Sequence, residues 1–154
     1  MRYLLDTCVI SDFIKGEAGT KVRLKQTPPV DIAVSAITVM ELRYGLALNP
    51  QRAQKVEPAI VSLLASVTIL PFGNREAEQA AEIRAALKSQ GQPIGAYDVL
   101  IAATALQHDL MGHLNLRSDK MPLPLTQNLQ LPIWKNVVVK QPGCYCPIFN
   151  YLIR

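Results

Sequence analysis

Short apolar runs of three or four residues alternate along the chain with longer stretches in which apolar side chains recur at helical spacing. Tyr3-Leu4-Leu5 predicts a short strand, and Asp6-Thr7 leads at once into a helix over residues 9–15 that Gly16 can end. Charged residues and Pro28-Pro29 then predict a loop. Residues 32–35 read as a second buried strand, followed by a helix from Ala36 or Thr38 through Leu48 that Asn49-Pro50 stops. A further helix is expected over residues 57–65 and a short β-branched strand over residues 67–70. Asn74 is the expected cap of the next helix, with Glu76 and Glu78 in its first turn and Ala80, Ile83 and Leu87 on one face; Gly91 ends it. Gln92-Pro93-Ile94-Gly95 predicts a turn, and Asp98 opens a nearly all-apolar helix over residues 99–106, which must be buried. Beyond Met111, Pro122, Pro124, Pro132, Pro142 and Pro147 break the pattern, and Val137-Val138-Val139 is the clearest strand candidate. Strands alternating with helices predict an α/β fold, a parallel sheet covered on both faces.

Composition narrows this picture without redirecting it. A chain of 154 residues, 49% of them hydrophobic, suits one domain with a real core, and 18% charged residues exclude a disordered or linker protein. The net charge of +4 is compatible with a nucleic-acid partner. Three cysteines, an odd number, and an N-terminus unlike a secretory leader lead us to expect a cytoplasmic protein with free thiols. No stretch approaches the ~20 apolar residues of a membrane span. Cys144-Tyr145-Cys146 is too tight for common metal spacings, and Cys8 reads as a packing residue. Gly91-x-x-x-Gly95 lacks the Lys and Ser/Thr of a P-loop, and His108 and His113 compose no nucleophile–base pair.

The chemistry rests on Asp6, Glu41 and Asp98, each expected near the start of a helix in apolar surroundings. Strand-to-helix junctions of a parallel sheet share its carboxyl edge, where open α/β folds bind ligands, so Asp6 and Glu41 are expected on one rim. A structural reading stands beside this one. Asp6 and Asp98 can serve as N-caps, and Thr38-x-x-Glu41 matches a capping box. Converging carboxylates would repel one another unless a cation neutralised them, and an oxygen-only set suits Mg²⁺ or Mn²⁺ rather than zinc.

Three segments, Tyr3-Leu4-Leu5-Asp6-Thr7, residues 35–45 around Thr38-Val39-Met40-Glu41-Leu42-Arg43-Tyr44-Gly45, and residues 93–103 around Gly95-Ala96-Tyr97-Asp98, resemble the signature blocks of VapC-type PIN-domain toxins. The stretch Leu70-Pro71-Phe72 followed by the Ile83-Arg84 helix is similar too, so the resemblance spans residues 1–110. It implies a three-layer α/β/α fold with a central parallel sheet and Mg²⁺-dependent endonuclease activity on RNA. It also implies a homodimer and a cognate antitoxin that blocks the site. By the resemblance Asp6 and Asp98 hold the metal, Glu41 is the third acid and Thr7 sets the first aspartate; Arg43 and Arg84 fall where a basic side chain can meet RNA phosphates or equally lie solvated on a helix.

The chain departs from the family after the buried helix, where a leucine-valine-threonine strand and a further acid or asparagine are usual. That region reads Leu110-Met111-Gly112-His113-Leu114-Asn115-Leu116-Arg117-Ser118-Asp119. Asn115 and Asp119 are both candidates for the last position of the set, with Asp119 preferred. The expected organisation is a nuclease domain over residues 1–134 and an atypical extension over residues 135–154. The expected function is a toxin ribonuclease; the alternative is a catalytically impaired relative that binds RNA or an antitoxin.

Overall fold

A computed structural model describes residues 1–91 and 94–113. The expected features at Gln92-Pro93, Asn115, Asp119, Val137-Val138-Val139, Cys144 and Cys146, and the boundary at residue 134, lie outside the described residues.

Among the described residues four parallel strands form one sheet: β1 (Tyr3–Leu5), β2 (Ile32–Ser35), β3 (Thr68–Leu70) and β4 (Met111–His113), in the order β3-β2-β1-β4. Leu5 pairs with Val34 on one side and His113 on the other, so β1 is interior. Successive strand residues face opposite ways, and here both faces are covered. Leu4 and Ala33 point into one core with Ile83 and Leu87 of α5 (Asn74–Ser89) and Val99, Ala102 and Ala103 of α6 (Ala96–Gln107). Leu5, Ile32 and Val34 point into the other. There they meet Val9 and Ile10 of α1 (Thr7–Lys15), Leu42 and Leu46 of α3 (Ala36–Leu48), and Ile60 and Leu64 of α4 (Pro50–Ser66). This is the expected three-layer α/β/α arrangement.

Three local expectations need correction. Residues expected as loop form α2 (Ala18–Gln26), opened by Glu17, whose carboxylate accepts from the N–H of Gly19 at 3.0 Å. Only Thr20 of α2 is buried, so the helix leaves no apolar period in the sequence. Helix α4 begins seven residues before the expected start, with Asn49 accepting from Arg52 N–H at 3.1 Å and Pro50 in the first turn. Pro58 lies inside α4, where it forgoes one backbone hydrogen bond.

The cap of α5 is Gly73 rather than Asn74; Glu76 reaches back to accept from Gly73 N–H at 2.8 Å. Glu76 also approaches His108, the C-cap of α6, at 3.4 Å, a charge contact rather than an aligned hydrogen bond. Its own backbone N–H and that of Gly73 hold the Glu76 carboxyl below the usual 4.5, against the opposing effect of burial, and His108 adds to the lowering.

Candidate active site

Asp6 follows directly on β1 at the carboxyl edge of the sheet, with extended backbone angles that turn the chain into α1. Its Oδ1 accepts from Val9 N–H at 2.8 Å, and the residue is 4% exposed. The N-cap role expected for Asp6 is therefore real. It also fixes the orientation of a nearly buried carboxylate.

Thr7, buried beside it, donates its hydroxyl to Glu41 Oε2, a contact spanning 34 residues of sequence. Glu41 lies in the second turn of α3, not at its start. The capping box expected from Thr38 and Glu41 is not formed: Ser35 is the N-cap and accepts from Thr38 N–H at 3.0 Å. The Ser35 and Thr38 hydroxyls, both fully buried, are themselves 3.0 Å apart. With the helix start satisfied by Ser35, the Glu41 carboxylate is directed to α1. The resemblance gave Thr7 a role in setting the first aspartate; the structure records its bond to Glu41.

Asp98 is the third residue of α6, and the N-cap is Gly95, so the expected capping role of Asp98 is corrected too. The carboxylate lies back over that glycine: a Cβ built on Gly95 would stand 2.6 Å from Asp98 Oδ2. Among the described residues, no three His, Cys, Asp or Glu side chains meet closely enough to hold a metal. The described chain thus links Asp6 and Glu41 through Thr7, and it does not close the three-acid group expected from the sequence. Asp6 is held by its cap to α1, and Asp98 lies over the start of its own helix.

The donors still fit a hard divalent cation in kind, being carboxylate oxygens without thiol or imidazole. Mg²⁺ keeps several waters and needs only one or two carboxylates. Of the basic residues considered for phosphate contact, Arg43 is paired with Glu57 of α4 at 3.0 Å on an exposed surface, while Arg84 is exposed on α5. Cys8 is half-buried in the first turn of α1. Ser35 and Gly95 escaped the sequence reading. Their signal was a small residue three positions before a partner, Thr38 in one helix and Asp98 in the other.

The profile of the PIN domain family matches residues 3–112. The chain is a PIN-domain protein. Its VapC-type character also holds among the relatives of this PIN domain. It is 41% identical over 115 residues to toxin FitB of Neisseria gonorrhoeae, covering 70% of this chain and 82% of that one. It is 35% identical over 116 residues to VapC ribonuclease Y4jK of Sinorhizobium fredii, with coverages of 70% and 82%. Among solved structures it resembles DNA-bound VapBC from Salmonella typhimurium, with a TM-score of 0.65 and 26% identity, over 71% of this chain and 83% of that chain. No helix among the described residues is long and apolar enough to cross a membrane.

Proposed function

We propose that this PIN domain is a Mg²⁺-dependent endoribonuclease, with Mn²⁺ able to substitute, and the toxin of a toxin–antitoxin pair in the cytoplasm. The observation that carries the reading is the buried Asp6–Thr7 step bonded to Glu41 at the carboxyl edge of the sheet. The relatives named as toxin and as ribonuclease support it. Asp6 and Asp98 would hold the ion, and Asp119 would complete the acidic set. The ion would neutralise phosphate charge and make bound water more acidic. Asp6, fixed by its cap, presents one carboxylate in a single orientation. Glu41, held by the Thr7 hydroxyl, would hold a second ion or orient the attacking water. A second copy and an antitoxin are the proposed protein partners. Exposed Met40, Tyr44 and Leu48, four residues apart on α3, offer apolar surface for such contacts.

The test is single-turnover cleavage of an RNA oligonucleotide with Mg²⁺ against EDTA, for the parent and for Asp6→Asn and Asp98→Asn. Cleavage that requires the metal and disappears in both variants supports the assignment. Parent-like cleavage by either variant removes it. One rival is a protein that binds RNA or an antitoxin without cutting, because the sequence departs from the family after the buried helix. Binding of RNA with no metal-dependent product would establish that rival. A DNA oligonucleotide of the same sequence tests the choice of nucleic acid.

A further inference from the structure

Two helices of this chain begin in the same way. In α5 a glycine N-cap is followed at the third helical position by Glu76, whose carboxylate folds back to within 3.3 Å of where a Gly73 Cβ would stand. In α6 the N-cap is Gly95 and the third residue is Asp98, and the shorter acid leaves only 2.6 Å for the same atom. Real Cβ atoms do not approach that closely, so any side chain at position 95 would force the Asp98 carboxylate out to ordinary contact distance, 3.4 Å or more. Backbone strain is no obstacle to a side chain there. Gly95 has φ −57° and ψ 144°, angles that any L residue adopts. What a side chain at position 95 would meet within 4 Å is Asp98, first of all the mobile end of its carboxylate.

We propose that Gly95 is a positioning residue for Asp98: its missing side chain is the space in which the carboxylate lies, and that placement is what cleavage requires. The inference rests on the role given to Asp98 above. It explains why the polypeptide spends a glycine at an N-cap, where Ser, Thr or Asn would cap as well and lose less entropy. In α5 the same arrangement only closes a helix; in α6 it orients a group for chemistry.

The experiment uses the full-length chain, a single-stranded RNA oligonucleotide and Mg²⁺, with Gly95→Ala, Asp98→Asn and the double variant. A displacement on the order of 1 Å costs about 10²-fold in rate, so Gly95→Ala should lose about that much single-turnover cleavage. Its thermal midpoint should stay within about 2 °C of the parent, because lost unfolded-state entropy and the weaker cap offset. A crystal structure of the variant should show the Asp98 carboxylate swung away from residue 95. Adding Gly95→Ala to Asp98→Asn should change cleavage little, since the displaced group is already disabled. Parent-like cleavage by Gly95→Ala, an unmoved Asp98, a collapse of stability, or an undiminished extra loss in the double variant would each overturn the proposal. Parent-like cleavage by Asp98→Asn alone would instead remove the nuclease assignment of Asp98, while the crystal structure and thermal midpoint still test Gly95.

Discussion

The Thr7 hydroxyl donates to Glu41, joining the first turn of α1 to the second turn of α3 across the carboxyl edge of the sheet. The bond sits where Thr7 is 5% exposed, so water is a poor substitute for the donor. Removing one partner of a buried hydrogen bond costs about 1–3 kcal/mol, and more weight falls on a charged acceptor. Should that cost fall on the reacting state, Thr7→Val would lower RNA cleavage by roughly 5- to 150-fold, about 1.4 kcal/mol being a factor of ten. Thr7→Ser, which keeps the hydroxyl, should restore most of it. A Thr7→Val protein that cuts at the parent rate would mean that the bond does not orient Glu41 for the reaction.

Ser35 anchors the same acid from below. Its side chain caps α3, and its replacement by alanine should destabilise the protein by about 1 kcal/mol, read from chemical denaturation. Because Glu41 rides on α3, cleavage should fall as well, even at temperatures where the variant remains folded. Equal activity per folded molecule would separate the cap from the chemistry.

Glu76 gives a pH dependence whose sign follows from its lowered carboxyl. The folded protein favours the ionised form more than the unfolded chain does. The stabilisation is therefore complete above the usual 4.5 and is lost as the pH falls through the folded-state value. Glu76→Gln should lower the thermal midpoint at pH 7, and the gap between variant and parent should narrow steadily below pH about 4.5. A gap that is constant with pH would show that charge at Glu76 contributes nothing.

The two cores should respond differently from the surface. Ile83 is 1% exposed in the core beneath α5 and α6. Ile83→Ala should cost about 2–5 kcal/mol of unfolding free energy. By contrast Arg43→Ala breaks only an exposed ion pair with Glu57 and should shift stability by less than about 1 kcal/mol. A fall in RNA affinity with little change in stability would give Arg43 a phosphate contact beyond its pairing.

Layering was legible in the sequence because β1 and β2 are buried on both faces and so appear as unbroken apolar runs, Leu4-Leu5 and Ile32-Ala33-Val34. Helix α2 was not legible, since only Thr20 is buried and Leu24 packs partly against the core, too little to leave an apolar period. Asp6 was found by its position after a strand. The partner of Glu41 was hidden because Thr7 lies 34 residues away and local spacing instead suggested a capping box with Thr38. Asp98 was found as an acid ahead of an apolar helix, but the part played by Gly95 depends on an interatomic distance that no sequence pattern carries.

Strand β1 leaves the ribosome long before one of its two neighbours, β4, which is more than a hundred residues further along. During synthesis at about 5–20 residues per second, this interior strand must wait several seconds with an open hydrogen-bonding edge. Such long-range parallel pairing also slows folding in general. A chain interrupted before residue 111 would leave that edge bare beside Asp6. Release of an incomplete product should therefore yield an aggregating polypeptide rather than a half-active nuclease.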